Sequence, residues 1–426
     1  MTGTPTADEV IDRYRRHLGS GRASLGALLG GVLEVASSGA WVTAAGGRRY
    51  LDFGGYGVFL LGHRHPRVVA AVRHQLETHP LPTRVFLDPV QARAAEALAE
   101  VAPRGLEYVH FVNSGTEATE TALKLARVAG RSALVTTGNG FHGKTLGALS
   151  ITANRLYQDP FAPLLPDVAT VAYGDLDQMR GVLAARAGRA CVVLEPVQGE
   201  GGVVIPPPGY LRGVAAACRE YGALLVLDEI QTGMGRLGAW WGAGFEGVVP
   251  DLMLVGKGLS GGVVPVAAVL ATPEAYAPFG RDPYLHSSTF GGSPLACAAA
   301  YAAIDTMRAE DTVTRAAKLG EALLARLRAT CAGAGAGVVA EVRGRGLLIG
   351  IECRQQAHLG ELVLALLDRG VLVNHSLNAS RVLRLTPPAV LGEDELDFFH
   401  TAFDEALAAV AAGAMPEGDA SPCPVS

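Results

Sequence analysis

The sequence predicts an α/β protein in which a mostly parallel sheet is joined to a smaller α+β domain, and three observations carry that prediction. Short apolar runs ending in polar or glycine-rich turns recur between residues 108 and 272. Segments of helical period separate several of them, giving the strand-helix-strand order of a parallel sheet. From about residue 301 the pattern changes to helices gathered around a few strands.

Residues 1–45 are mixed in character and are expected to form an N-terminal arm or part of the smaller domain. Tyr108 to Val112, Ala133 to Thr137, Cys191 to Val197, Ala223 to Glu229, Asp251 to Gly256 and Val266 to Thr272 read as buried strands. Such near-continuous apolar runs suit strands covered on both faces. Glu117 to Ala129 places Ala118, Ala122, Leu125, Ala126 and Ala129 on one face of a helix. The large domain is expected over residues 46–300 and the smaller one over 301–412. The latter shows a strand pattern at Val338 to Cys353, a helix at Leu359 to Arg369, two short strands and a last helix from Glu393. Residues 413–426, rich in small residues and proline, are expected to fray.

A chain of 426 residues, 49% hydrophobic and 18% charged, fits a soluble multidomain protein. Its net charge of -5 and lack of like-charge runs give no basic footprint for nucleic acid and no membrane patch, so small-molecule chemistry is expected. Six widely spaced cysteines without Cys-x-x-Cys pairs, and an N-terminus without an apolar signal core, point to reduced thiols in the cytoplasm. No apolar stretch is long enough to predict a transmembrane helix. The histidines form no ligand pattern, so no metal is expected, and Gly62-His63-Arg64-His65-Pro66 reads as a hydrogen-bonded turn.

The chain holds four lysines against thirty-two arginines, and one of the four, Lys257, sits in Val-Gly-Lys-Gly-Leu-Ser-Gly-Gly behind an apolar run. An amine can lose its proton and condense with a carbonyl, whereas a guanidinium stays charged. Lys257 is therefore either a Schiff-base lysine or a solvated loop residue. Asp228 stands at the carboxyl end of a predicted strand, where open α/β sheets bind ligands. Beside a pyridine nitrogen it would favour the protonated ring by about 4 kcal/mol at roughly 4 Å and an effective dielectric of about 20. That is roughly three pKa units. Satisfaction by backbone amides is the alternative for this aspartate.

Phe111-Val-Asn-Ser114-Gly115-Thr116-Glu117 runs from strand to helix with Ser114 and Glu117 at capping-box spacing. It is a helix cap or a phosphate cradle built from exposed amides. Gly138-Asn-Gly-Phe141-His142-Gly-Lys144-Thr145 matches a P-loop, and with Leu224 to Glu229 as a second strand an ATPase is the competing reading, with magnesium on Thr145 and Asp228. Thr145 to Ala153, with an internal glycine and β-branched residues, is a poor opening for the long helix that reading requires. His286-Ser-Ser-Thr289-Phe-Gly-Gly is a second phosphate contact or a polar loop. Arg384, inside a short apolar strand, needs a carboxylate, supplied by a glutamate such as Glu195 or Glu200 or by a substrate.

Seven motifs in order, Ser114-Gly-Thr-Glu-Ala, Phe141-His-Gly-Lys, Glu195-Pro-Val-Gln-Gly-Glu, Asp228-Glu-Ile-Gln-Thr-Gly, Gly256-Lys-Gly, Ser288-Thr-Phe-Gly-Gly and Arg384-Leu-Thr-Pro-Pro, resemble the class III (ω) pyridoxal-phosphate aminotransferases. The resemblance spans about residues 45–410 and implies a fold-type I transferase with a mainly parallel seven-stranded sheet, a smaller C-terminal domain and pyridoxal 5'-phosphate as cofactor. It implies that Lys257 links to the cofactor and shuttles the proton, and that Asp228 holds the pyridinium. Ser114, Gly115 and Thr116 would form the phosphate cradle, Gln231 would meet the ring hydroxyl region, Phe141 would stack on the ring, and His142 would adjoin the cofactor. Thr289 would reach the phosphate in a neighbouring subunit, which implies a homodimer with shared sites. Arg384 would grip the carboxylate of glutamate or 2-oxoglutarate, Glu200 would neutralise it for amines without one, and Tyr56 and Lys144 would border the substrate.

Within the family the chain is most similar to putrescine aminotransferases, through Gly54-Gly-Tyr-Gly-Val-Phe, Pro206-Pro-Pro-Gly-Tyr-Leu and Leu285-His-Ser-Ser-Thr-Phe. Lys144 stands where ornithine and acetylornithine enzymes carry arginine. Ser287, Ser293 and Ala44 depart from the family's usual residues near the active site. The implied reaction is exchange of an amino group between a primary amine or diamine, or the matching aldehyde, and the glutamate/2-oxoglutarate pair by a ping-pong route. An ornithine-like or natural-product aminotransferase is the sister reading. The family's racemases and aminomutase share the lysine but need no added oxo acid.

Overall fold

The computed structural model describes residues 5–413. Apart from Gly413, the tail expected to fray lies outside the described residues, as does Cys423. The central sheet has seven strands: β1 (Tyr108–Val112), β2 (Ala133–Thr137), β3 (Val168–Val171), β4 (Ala190–Leu194), β5 (Leu224–Asp228), β6 (Leu252–Val255) and β7 (Ala267–Ala271). Their spatial order is β1-β7-β6-β5-β4-β2-β3. The run β6-β5-β4-β2-β3 is parallel, and only β7 runs antiparallel to both of its neighbours. The sheet is therefore mainly parallel, as expected.

Alternate residues of β5 point into different apolar layers. Leu224 and Val226 join one cluster, Leu225 and Leu227 the other, which is why the strand carries no polar face. Strand β4 stops at Leu194 rather than running to Val197, because Glu195 turns its carboxylate to backbone amides and Pro196 has no N–H to donate. Strand β3 was not foreseen. It pairs on one side only, with β2, and is half exposed, so it lacks the continuous apolar run of the inner strands.

The helix expected from Glu117 starts two residues earlier, at Gly115, and runs to Val128. Ser114 Oγ accepts from the Glu117 amide at 3.3 Å. The Glu117 carboxylate does not return to Ser114 but accepts from Asn113, at 2.8 Å from N and 2.9 Å from Nδ2. Half of the capping box forms and the other half slides back one residue.

Beyond residue 301, strands Val339–Arg345, Leu348–Cys353, Val382–Leu385 and Asn374–His375 form a sheet in that order, flanked by helices Gln356–Asp368 and Glu393–Ala411. Strands Glu34–Ser38, Trp41–Ala44 and Arg49–Asp52 form another sheet, completed by Val371–Leu372. The N-terminal segment is thus tied to the C-terminal part of the chain. Among the described residues no helix is long and apolar enough to cross a membrane. The five described cysteines are free and buried.

Candidate active site

The parallel strands deliver their chemistry at their carboxyl ends. There, Gly115, Thr116, Phe141 and His142 meet Asp228, Gln231 and Lys257 around a cavity of about 250 Å³, which Glu195 also lines. A larger hollow of about 470 Å³ lies against the N-terminal helices, lined mainly by apolar residues such as Ile11, Leu25 and Leu29. It holds none of the groups singled out above, so the smaller cavity is the candidate site.

Lys257 follows β6 directly and adopts a positive φ of 44°. For a residue with a β-carbon that conformation costs about 1 kcal/mol or more. Its effect is to break the strand direction and turn the side chain into the cavity, against Gly57 and Gln231. Burial lowers the Lys257 amine below its ordinary value; Glu200 pulls it up, Arg384 adds to the lowering, and Asp228 and Glu195 pull it up. The net direction favours the uncharged amine, the form that condenses with a carbonyl.

Asp228 ends β5 with Oδ1 accepting from the Ile230 amide at 3.1 Å and Oδ2 2.7 Å from His142 Nδ1. His142 is fixed on every side but one. Its amide donates to Thr152 Oγ1 at 2.9 Å, its carbonyl accepts from Thr119 Oγ1 at 2.7 Å, and its Nε2 is buried without a partner. Burial alone would lower the imidazole, but the hydrogen bond and charge of Asp228, with the charge of Glu195, raise it.

Glu195 accepts from the Phe141 amide at 3.1 Å and from the Gly199 amide at 3.0 Å. Burial raises its carboxyl to about 7, against the pull of His142 and helped by Asp228. A proton held more tightly in the folded state stabilises most at low pH. The contribution is complete below about pH 4.5 and is lost as pH rises through about 7. In cofactor-stripped protein, the melting temperature is expected to fall more steeply between about pH 5 and 8 than in Glu195→Gln. The difference is on the order of 3 kcal/mol. Equal slopes would remove Glu195 as the titrating group.

On the far side, Arg384 and Glu200 form an ion pair almost wholly removed from water. Arg384 Nε has no hydrogen-bond partner, while Glu200 Oε2 accepts from the Leu377 amide at 2.9 Å. Arg384 thus finds the internal glutamate that the sequence left open, and the glutamate is Glu200 rather than Glu195. Glu195's bonds to Phe141 and Gly199, and the amides of residues 377 and 378 at Glu200, had no signal in the sequence.

Other expected residues lie elsewhere. Ser114 caps its helix rather than lining the cavity. Tyr56 is exposed at a positive φ of 50°, next to Gly57, whose missing β-carbon would lie 3.5 Å from Gln231 Nε2. Lys144 is exposed with its ammonium 3.9 Å from the centre of the Tyr157 ring. Thr289 is also exposed, its carbonyl accepting from Arg84 at 2.9 Å. Ser288, its neighbour, accepts at Oγ from Asn113 Nδ2 at 2.8 Å.

The nucleotide reading of residues 138–145 is not supported. A helix of only six residues, Leu146–Ile151, follows the loop. Thr145 Oγ1 donates to Glu120 at 2.5 Å, and Asp228 is engaged by His142, so neither stands ready for magnesium.

Pyridoxal phosphate fits the residues present. The buried Nε2 atoms of Gln231 and His142 lack partners, which a polar ligand would supply. Gly115 and Gly143 let Ile230 and Thr116 pack close against the backbone of the cavity wall, where a β-carbon would strike them at 2.8 Å and 2.3 Å.

Residues 31–407 match the family model described as aminotransferase class-III. Among solved structures, ornithine aminotransferase from Toxoplasma gondii ME49 is 33% identical, with a TM-score of 0.89 over 96% of this chain and 97% of that one. A second structure of the Toxoplasma enzyme, described as showing partial occupancy of PLP at its active site, is 34% identical with a TM-score of 0.84, over 90% and 92%. A thermostable (S)-enantioselective omega-transaminase from Thermomicrobium roseum is 30% identical with a TM-score of 0.87, over 96% and 100%. With Gly115, Thr116, Asp228 and Lys257 gathered around one cavity and the match running almost end to end, the chain belongs to the class-III aminotransferases, enzymes that depend on pyridoxal phosphate.

Proposed function

We propose that this aminotransferase moves an amino group between a primary amine or diamine, or the corresponding aldehyde, and the glutamate/2-oxoglutarate pair. The observation that carries the reading is the buried Arg384–Glu200 pair beside the lysine cavity. Buried guanidinium must be neutralised. A substrate carboxylate can do so in one half-reaction and Glu200 in the other, so a single pocket serves two unlike substrates.

Bound pyridoxal phosphate supplies the electron sink for ionising the carbon–hydrogen bond next to nitrogen. Lys257 would carry the proton to and from that carbon, and Asp228 would hold the ring nitrogen protonated. The amides at Gly115 and Thr116, at the start of a helix, take the phosphate charge. Gln231 Nε2, which lacks a partner, would meet the ring hydroxyl region, and Phe141 would cover a ring face. Thr289 acts across the interface of a homodimer, a reading supported by its exposure in the single chain and by the exposed apolar run Val85, Phe86 and Leu87 beside it through Arg84. Tyr56 and Lys144 border the route to the cavity. The attraction of Lys144 to Tyr157 favours a donor without a distal carboxylate.

Ornithine is the second donor considered, supported by the 33% identity to the Toxoplasma ornithine aminotransferase. Half-reactions with putrescine, ornithine and ω-amino acids, followed by cofactor absorbance, rank the donors; faster conversion by ornithine than by putrescine would overturn the diamine assignment. In the same assay Arg384→Ala is expected to lower kcat/KM for 2-oxoglutarate by on the order of 100-fold, and that for the amine by less than about tenfold. Equal losses would remove the assigned role of Arg384.

A further inference from the structure

Glu200 is held at two places by consecutive amides of one segment. Its Oε2 accepts from Leu377 N at 2.9 Å and its own carbonyl accepts from Asn378 N at 2.9 Å. The Asn378 side chain sets where that segment sits. Its Nδ2 donates to Asn139 O at 3.0 Å and Gly140 O at 3.3 Å, and its Oδ1 accepts from Asn154 Nδ2 at 2.9 Å. Asn139 and Gly140 immediately precede Phe141 on the loop that lines the cavity. Ser376 closes the other end, donating from Oγ to Gly199 O at 3.1 Å and from N to Val382 O at 3.0 Å, on the strand of Arg384.

We propose that Asn378 is a positioning residue that sets how readily Glu200 leaves Arg384, and so sets the balance between the carboxylate-bearing and carboxylate-free substrates. The inference rests on the two-substrate reading above. A ligand carboxylate that takes over the Arg384 ion pair displaces Glu200 Oε1, while the Leu377 amide resists that movement through Oε2. Removing the Asn378 side chain loosens the segment, weakens the amide's hold and makes Glu200 cheaper to displace. Carboxylate ligands gain, and amines that need Glu200 in place lose. A residue that merely supports the fold would shift both in the same direction.

The test is glutarate, an unreactive dicarboxylate, titrated calorimetrically into cofactor-loaded protein. Asn378→Ala is expected to lower the glutarate Kd by on the order of tenfold, the scale of one buried hydrogen-bonding group. In steady-state assays its amine KM is expected to rise several-fold, while the oxo-acid KM stays level or falls. Unchanged or weaker glutarate binding overturns the proposal, as does a parallel rise in both KM values or failure of the unaltered protein to bind glutarate. Should Asn378→Ala fail to fold, Asn154→Ser decides: it removes one donor to Asn378, keeps a side-chain oxygen for the short helix that follows, and is expected to tighten glutarate about threefold. No tightening there overturns the proposal. Unaltered protein that binds glutarate yet transfers no amino group contradicts the aminotransfer reading instead, and the glutarate shift still tests the positioning role.

Discussion

Lys257→Ala is expected to lower transamination by at least about 10⁴-fold, because in the proposed mechanism covalent attachment and proton transfer both depend on that one amine. Lys257→Arg is not expected to restore it, since a guanidinium stays protonated at any working pH. Burial lowers the Lys257 amine, so more of it is uncharged near neutrality than in a solvated lysine. Its backbone at φ 44° places the side chain among Gly57, Gln231 and the end of β5. The cofactor is expected to remain bound to Lys257→Ala through its phosphate and ring contacts. Borohydride reduction followed by peptide mass analysis should therefore label Lys257 in the unaltered protein and no lysine in the variant. Label on Lys124, Lys144 or Lys318 would sink the assignment, and so would a variant retaining a tenth of the original rate.

Gln231 was singled out only through the family resemblance, although it lines one cavity with Lys257 and Asp228. Those two drew attention because each lies within a few residues of a strand end, where a local run of apolar residues pointed to them. The six inner or long strands were legible for the same reason. Val168–Val171 was not, as an edge strand exposes one side and carries too few apolar residues to stand out from a loop. The sheet made by residues 34–52 with Val371–Leu372 also escaped, because its pairing joins segments more than 300 positions apart. In the site, Arg384 showed its need for a carboxylate but not which one. Glu195 and Glu200 stand five positions apart on the same turn, and only the fold sends the first to Phe141 and Gly199 and the second to Arg384. Asn378 left no trace at all: Ser376-Leu-Asn-Ala-Ser reads as a polar turn, and its partners at 139, 140 and 154 are brought to it by packing alone.

Asp228→Asn is expected to lower kcat by about 10³-fold while reducing cofactor occupancy far less. The reason is the division of labour between charge and anchorage. The phosphate contacts proposed for Gly115 and Thr116 do not involve Asp228, so most of the binding is expected to survive. The attraction of about 4 kcal/mol for a ring proton does not survive, and the roughly three pKa units it is worth decide whether the ring is protonated at neutral pH. His142 makes the test sharper. It lies 2.7 Å from the same carboxylate, and its imidazole is raised, against burial, by Asp228 and Glu195. A positive His142 competes with the ring for the single charge on Asp228, and a negative Glu195, while it keeps His142 protonated, gives that cation a second carboxylate to answer. Because burial pushes the Glu195 carboxyl up to about 7, the unaltered enzyme is expected to gain kcat as pH rises through neutrality. Asp228→Asn should lose that rise together with the rate, because the carboxylate for which the ring and His142 compete is then gone. A variant whose rate loss matches its cofactor loss would make Asp228 an anchor only, and a pH profile of unchanged shape would detach Glu195 from it.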